Sequence, residues 1–282
     1  MADNHGNVVS LGERECSIQR RYQKVIEEAP SLAVDAALRS RMGEMACALA
    51  REAGYSNAGT VEFIMDSHRN FFFMEMNTRL QVEHPVTEAV TGLDLVRLQI
   101  EVAAGLPLPL AQEDVVACGH ALECRLYAED PANDDLPSPG RVVHFAAPEG
   151  PGIRFDGGIA AGCDVSVHYD PLLAKLVCWG RDRAESIERM SDALLRTVVL
   201  GVVTNLPRLQ AIVASPLFRE GALHTGFIDE HLEELSPRPC PPEEGLAAVA
   251  AVLARVGRSV SARAEAVAPD PWASIGPWRL GG

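Results

Sequence analysis

Alternating hydrophobic and polar positions predict a β-hairpin over residues 60–77. Two alternating runs flank a short polar turn, a pattern typical of a pair of antiparallel strands. If Asp66 faces Phe71 across this turn, Glu62 lies directly opposite Glu75. Carboxylates in that position repel each other, so the register is stable only if a cation lies between them.

The donor atoms near this pair indicate which cation would fit. A hard divalent cation such as Mg²⁺ binds carboxylate and amide oxygens, which Glu62, Glu75 and Asn77 would supply together with nucleotide phosphates. The alternative is a surface hairpin whose acids face water, and a shift of one residue in register would separate the two glutamates. The pattern alone leaves both interpretations open.

Elsewhere the same periodicities predict both helices and strands. Apolar positions at helical spacing, with capping residues at the ends, predict helices over residues 35–53, 85–105 and 182–200. Strands are expected over residues 7–11, 119–127, around Val142 and 172–179, whereas the polar segment 14–28 is interpreted as a loop.

These elements predict an α+β chain of two domains followed by a tail. Pro107 and Pro109 mark the first boundary, so we expect domains at residues 1–110 and 111–235, the second mainly antiparallel. The tail at residues 236–282 opens with a proline-rich linker and continues into an alanine-rich helix over about residues 243–256.

Composition narrows the possible partners and location. The net charge of −14 argues against a nucleic-acid partner, because binding phosphates requires a basic surface. No apolar run is long enough to span a membrane and no signal-peptide core is seen, so we expect a cytoplasmic protein without a membrane partner. The cysteine and histidine spacings match no metal-binding motif. Among 25 lysines and arginines, only Lys24 and Lys175 are lysine.

The hairpin sequence also carries a family resemblance. Residues 75–88, EMNTRLQVEHPVTE, resemble the signature of biotin carboxylases, ATP-grasp enzymes that carboxylate biotin for acyl-CoA and pyruvate carboxylases. Other segments of that family occur here in the same order, and together the resemblance covers about residues 1–232. They are residues 15–24, 27–30, 119–125, 128–130, 136–140 and 169–175.

This resemblance implies the C-terminal half of an ATP-grasp domain followed by a biotin carboxylase C-terminal domain. The implied activity is ATP- and bicarbonate-dependent carboxylation of biotin through carboxyphosphate, with Mg²⁺ or Mn²⁺ on the nucleotide. Biotin would be a substrate attached to a biotin carboxyl carrier protein or domain. The implied partners are that carrier, the N-terminal half of the ATP-grasp domain, a second copy of the chain and a carboxyltransferase subunit.

The resemblance also assigns roles to individual residues. The ions that bridge the ATP phosphates would be held by Glu62, Glu75 and Asn77. Bicarbonate would be held by Arg79, Gln81 and the backbone N–H of Val82, and Glu83 would be the general base that takes its proton. Further anion contacts would come from Gln19 and Lys24, while Arg125 would stabilise the biotin enolate.

Simpler interpretations of the same residues remain open. Arg79 and Glu83 would also suit a salt bridge that caps the next helix. Arg125 would pair with Glu123 on the strand face, and Lys24 would belong to a solvated loop. These alternatives are distinguished by the partners that each side chain has in the fold.

Two departures from the family pattern affect the expected function. Tyr22 stands where the family usually has histidine, and residues 1–60 contain no phosphate-cradling glycine loop. We therefore expect a C-terminal fragment that is inactive alone. The alternatives are another bicarbonate-using ATP-grasp ligase, of the carbamoyl-phosphate synthetase type, and a non-catalytic dimerisation fragment. Residues 270–279 resemble the start of the domain that follows in methylcrotonyl-CoA carboxylase α chains.

Overall fold

The computed structural model describes residues 1–236 and, beyond them, the helical positions Gly245 and Val249. Met1–Pro237 form one compact unit. The predicted linker, the alanine-rich helix and the segment 270–279 lie almost entirely outside the described residues. Within the described part of the chain, no helix is long and apolar enough to cross a membrane. The cytoplasmic location stays a prediction.

The chain combines antiparallel strands with helices that are largely grouped along the sequence, which confirms the α+β class. The strands are β1 Glu15–Arg20, β2 Gln23–Ala29, β3 Thr60–Met65, β4 Phe71–Asn77, β5 His120–Tyr127, β6 Glu129–Asp130, β7 Leu136–Pro137, β8 Gly140–Arg141, β9 His144–Ala146, β10 Ile153–Gly157, β11 Asp164–Val165, β12 Leu172–Gly180 and β13 Val198–Leu200. The helices are α1 Ala36–Glu52, α2 His84–Thr91, α3 Leu95–Ala103, α4 Arg183–Arg196, α5 Leu206–Ala214, α6 Pro216–Glu220, α7 Phe227–Glu230 and α8 Leu232–Leu235.

A five-stranded antiparallel sheet in the order β1-β2-β5-β12-β10 organises the molecule. The prediction of a loop at residues 14–28 is wrong, because β1 and β2 form one edge of this sheet. The segment is polar, yet Ile18 and Ile26 enter the core. Its acids are buried among arginines from distant segments: Glu27 contacts Arg125 and Glu28 contacts Arg183.

The two faces of this sheet have different roles. The predicted apolar face of β5 is confirmed, because Leu122 and Cys124 lie in a large core with side chains from α4, α5, α6 and α7. Helix α2 packs on the opposite face, where Val86 and Val90 contact apolar side chains of β2, β5 and β12. Because β1 and β2 share this sheet with β5 and β12, the sheet includes residues from both sides of the predicted boundary at residue 110, and the domain limits stay predictions.

The hairpin β3–β4 forms a separate two-stranded sheet, and its predicted register is confirmed at the two glutamates. Glu62 lies opposite Glu75, as deduced from the assumed pairing of Asp66 with Phe71. An irregularity between Glu62 and Phe63 then shifts the register, so that Phe71 pairs with Met65. The predicted pairing of Asp66 with Phe71 is wrong, because the Asp66 carboxylate accepts hydrogen bonds from Asn70 inside the turn instead.

The helices confirm the predicted positions, with two corrections, and one predicted strand is corrected as well. Helix α1 begins after its N-cap Asp35, but the predicted helix 85–105 is two helices, α2 and α3, because Gly92 adopts a left-handed conformation. Helix α4 ends at Arg196, since the following residues pair with β9. The strand predicted at residues 7–11 is reduced to an isolated bridge at Val8.

A buried ionic network ties β1 to a distant loop and to α5. Arg20 Nη2 donates to Glu129 Oε2 at 3.0 Å, and its Nε lies 3.3 Å from Asp135 Oδ2. Asp135 also contacts Arg208, whose Nη2 donates to the carbonyl of Pro131 at 3.0 Å. All four ionic side chains are at most 10% exposed, so the network holds the edge strand β1 against the body of the unit.

Helix α4 depends on its N-cap, and Asp182→Ala tests this. Asp182 Oδ1 accepts the Glu185 N–H at 2.9 Å, and a loss of about 1 kcal/mol in unfolding free energy is expected without it. The measurement is urea denaturation of the full chain. Asp192→Ala is the control, because Asp192 lies on the same helix with a side chain that is 63% exposed. An equal loss in both variants would contradict the cap as the cause.

Candidate active site

The predicted site residues come from strands β1, β2, β3, β4 and β5 and from the loop that joins β4 to α2. Pro85 lies two residues after Glu83, in the first turn of α2, where a backbone N–H would have no partner within the helix. Glu83 occupies the N-cap position, but its side chain makes no cap hydrogen bond. Its carboxylate is therefore available for other partners.

Glu83 is the centre of the cluster and is only 2% exposed. Its Oε1 accepts from Lys24 Nζ at 2.7 Å, and its Oε2 accepts from Arg125 Nη2 at 2.9 Å. Burial acts to raise the pKa of Glu83, but Lys24 and Arg14 outweigh it and hold the pKa below its usual value. The carboxylate is thus ionised at neutral pH.

Arg125 is held by two acids on the face of the sheet that α2 covers. Its Nε donates to Glu27 Oε1 at 2.6 Å, and Glu27 is fully buried. The alternative pairing of Arg125 with Glu123 is wrong, since Glu27 and Glu83 take that place. Burial raises the pKa of Glu27 to about 7, against the opposing effect of Arg125. Burial and the neighbouring Glu27 also raise the pKa of Glu123 well above its usual value.

The two hairpin acids form the second part of the cluster. Glu62 Oε1 accepts from Lys24 Nζ at 2.9 Å and from Gln81 Nε2 at 2.7 Å. Asn77 Nδ2 donates to Glu62 Oε1 at 3.2 Å and to Glu75 Oε1 at 2.9 Å. The amide thus lies between two carboxylates, which is where a cation would compensate their charge.

The remaining predicted residues lie around these two groups. Arg79 is exposed and donates to Asn77 Oδ1 and to the Leu80 carbonyl, both at 3.2 Å, rather than capping α2 through Glu83. Gln19 lies opposite Lys24 in the β1–β2 register, so the interpretation of Lys24 as part of a solvated loop is wrong. Tyr22 is 95% exposed at the turn between these strands.

Sequence reasoning missed three residues that hold this site together. Arg14 donates through Nη2 to Gln81 Oε1 at 2.6 Å and through Nη1 to Thr87 Oγ1 at 3.1 Å. The other two are Glu27, described above, and Lys175, whose Nζ donates to the Val82 carbonyl at 2.9 Å. Glu27 and Lys175 lie inside segments that resemble the family, and the scarcity of lysine is a further signal for Lys175. Arg14 precedes the first of those segments by one position and carries no such signal.

Comparisons with known proteins identify the domains that carry these residues. Residues 1–111 match the carbamoyl-phosphate synthase L chain, ATP binding domain, and residues 123–230 match the biotin carboxylase C-terminal domain. The propionyl-CoA carboxylase alpha chain of Mus musculus is 53% identical over 232 residues, 82% of this chain. The chain belongs to the biotin carboxylase family. This confirms the resemblance found in the sequence.

Other biotin carboxylase relatives extend the comparison. A pyruvate carboxylase component from Methanothermobacter thermautotrophicus is 50% identical over 82% of this chain and 47% of its own length. The methylcrotonoyl-CoA carboxylase alpha chain of Dictyostelium discoideum is 43% identical over 99% of this chain and 40% of its own length. This chain spans 32% of the Mus musculus relative, about a third of its length.

Solved biotin carboxylase structures share the fold. The biotin carboxylase component of a pyruvate carboxylase superposes with a TM-score of 0.83 at 46% identity, over 85% of this chain and 53% of that one. The biotin carboxylase domain dimer of Hydrogenobacter thermophilus 2-oxoglutarate carboxylase, solved with MgADP, ADP and bicarbonate, gives a TM-score of 0.83 at 43% identity. It is matched over 85% of this chain and 53% of its own.

Proposed function

We propose that this chain supplies the bicarbonate- and biotin-handling part of a biotin carboxylase. The observation that carries the proposal is the buried Glu83 carboxylate, bound by Lys24 on one oxygen and by Arg125 on the other. The cations keep this carboxylate in its proton-accepting form, and they would offset the negative charge of a substrate bound beside it. The solved relative described with bicarbonate supports this substrate.

Bicarbonate would be oriented by the segment that precedes α2. The exposed Arg79 guanidinium, the Gln81 amide and the Val82 N–H are donors suited to a small planar anion. Each Glu83 oxygen accepts one of the described ionic hydrogen bonds and keeps a second lone pair for the bicarbonate O–H. Glu83 would take this proton as the bicarbonate oxygen attacks the γ-phosphorus of ATP and ADP leaves.

The later steps would use Arg125, the second cation that contacts Glu83. Carboxyphosphate breaks down to carbon dioxide and phosphate, and the phosphate takes the ureido proton of biotin. Arg125 would stabilise the enolate oxygen that develops, since a fixed cation is most effective where negative charge forms. Glu27 accepts from Arg125 Nε at 2.6 Å and so fixes the orientation of this guanidinium.

The hairpin residues fit a magnesium ion. Among the described residues, no group of three or more histidine, cysteine, aspartate or glutamate side chains could hold a metal. The hairpin donor set is different, because Glu62 and Glu75 are combined with the Asn77 amide, which can present its oxygen instead of its nitrogen. The bound ion, Mg²⁺ or Mn²⁺, would neutralise charge on the nucleotide phosphates.

The proposed reaction and the family resemblance together indicate the partners of this chain. Biotin on a carrier protein or domain would be carboxylated here and passed to a carboxyltransferase. The names of two relatives, an alpha chain and a subunit alpha of CoA carboxylases, support the presence of a further subunit. The rest of the ATP site would come from the N-terminal half of the ATP-grasp domain. A homodimer is consistent with the dimer named for the Hydrogenobacter domain.

Release of ADP that depends on both bicarbonate and biotin tests the proposed function. The full chain is assayed alone and mixed with a separately expressed N-terminal ATP-grasp segment. We expect turnover in the mixture at about 1 s⁻¹ or more, and far less from the chain alone. As a control, Glu44→Gln changes an exposed acid of α1 outside the site, and this variant should give the wild-type turnover in the mixture.

The substrates distinguish the alternatives. Turnover in the mixture that requires ammonia rather than biotin would instead support a carbamoyl-phosphate synthetase-like ligase. Failure of every mixture, with both parts folded and associated, would contradict a catalytic role and favour a dimerisation fragment.

A further inference from the structure

Lys175 joins the central sheet to the segment predicted to bind bicarbonate. It lies on β12, its side chain is 13% exposed, and its Nζ donates to the Val82 carbonyl at 2.9 Å. Among the described residues its salt-bridge partner is Asp156, whose Oδ2 lies 3.5 Å from the Lys175 Nζ. The same oxygen accepts from Arg154 Nη2 at 2.8 Å. Arg154 thus compensates Asp156, and the closer contact of the Lys175 ammonium is with the Val82 backbone.

This contact fixes one particular peptide group. The Val82 carbonyl and the Glu83 N–H belong to the same planar trans unit, so they point in opposite directions. A carbonyl held by Lys175 therefore turns the Glu83 N–H away from the sheet. That N–H is also one of the groups that lower the pKa of the Glu83 carboxylate.

The sheet register connects Lys175 to the rest of the site. Lys175 lies directly opposite Arg125 on the neighbouring strand. Arg125 contacts the Glu83 side chain, while Lys175 contacts the peptide group that carries the Glu83 backbone nitrogen. Two paired positions of one sheet thus fix both the backbone and the side chain of a single residue.

We propose that Lys175 is a positioning residue that holds the segment 81–83 in its bicarbonate-binding conformation through the Val82 carbonyl. The proposal rests on the proposed function and assigns it a residue that does not touch the substrate. Lysine suits this place because its compact ammonium group is a single-point donor, whereas the planar guanidinium of arginine favours two-point contacts.

Lys175→Met in the full chain tests this positioning role. Labelled bicarbonate is titrated into the protein while the amide signals of Gln81, Val82 and Glu83 are followed by NMR, and the ¹³C shift of the Val82 carbonyl reports the contact itself. We expect the Kd for bicarbonate to rise about tenfold and the carbonyl signal to move upfield, because a charged hydrogen bond is removed. Lys175→Arg keeps a donor and should restore binding to within about threefold of wild type.

Arg181→Met is the control, because it removes a positive charge from an 83% exposed side chain that pairs with Glu185 and contacts neither Asp156 nor the Val82 carbonyl. It should leave both readouts unchanged. If Lys175→Met binds bicarbonate as tightly as wild type, the positioning role is wrong and the proposed function stands. If the wild-type chain gives no bicarbonate shifts at residues 81–83, the proposed bicarbonate site is contradicted and the role of Lys175 with it.

Discussion

Glu83→Gln is expected to reduce the kcat of the assembled enzyme by about 10²–10⁴-fold. The amide keeps the size of the side chain but cannot take a proton from bicarbonate. It also removes the negative charge that Lys24 and Arg125 share, and its NH2 group leaves one of these two cations without an acceptor oxygen on residue 83. The measurement is biotin-dependent ADP release from the chain mixed with its N-terminal ATP-grasp segment, compared at saturating bicarbonate.

The pH profile of wild type gives a second check on Glu83. Because its pKa is held below the usual glutamate value, the base form persists as the pH falls toward about 4.3. No loss of activity between pH 8 and pH 5 should therefore come from Glu83. Glu101→Gln on α3 is the matched control, since Glu101 pairs only with Arg97 on the helix surface. If Glu83→Gln keeps more than a tenth of wild-type kcat, Glu83 is not the base.

Asp135→Asn is expected to lower the unfolding free energy by about 3–5 kcal/mol. Asp135 lies between Arg20 and Arg208, and all three side chains are buried. Without its charge, two guanidinium groups face each other with less compensation inside the protein. Asparagine tolerates the left-handed conformation of this position, so the backbone is not the cause of the loss.

The neighbouring residue supplies the control for this experiment. Asp134 pairs with Arg21 at the surface, where its side chain is 77% exposed, and Asp134→Asn should cost less than about 1 kcal/mol. Urea denaturation of both variants gives the comparison. Equal losses would show that burial of the network contributes nothing to its stabilising effect.

Residues 60–77 show how far the sequence can predict this fold. Alternation predicts the hairpin, because side chains on a strand alternate between its two faces. The opposition of Glu62 and Glu75 was deduced from an assumed pairing of Asp66 with Phe71, and it holds because of the irregularity between Glu62 and Phe63. The register shift beyond Glu62 was not predictable, since the turn closes through Asp66 side-chain hydrogen bonds that alternation does not encode.

The segment 14–28 shows the opposite case. Its charged residues suggested a solvated loop, yet Glu27 and Glu28 are among its most buried side chains. Their cationic partners lie far away in sequence, on β5 and at the start of α4. A strand whose polar face is compensated by distant residues has no local signature, so only the assembled sheet identifies it.

The site residues likewise form two groups, one that the sequence identifies and one that it does not. The family resemblance names Glu83, Arg79 and Arg125, and the structure brings Glu83 and Arg125 into direct contact. The residues that orient these groups, Arg14 and Glu27, act through hydrogen bonds whose partners are far away in the chain. Spacing within one motif carries no information about such contacts.

The central sheet also sets the order of events during synthesis. Glu27 on β2 and Arg125 on β5 are 98 positions apart, yet their strands are neighbours. At a ribosomal rate of roughly 5–20 residues per second, β2 waits about 5–20 s for its partner strand to be made. During that time its inner edge is unpaired and its glutamates lack their arginines. The chain therefore cannot complete this sheet until well after β2 leaves the ribosome.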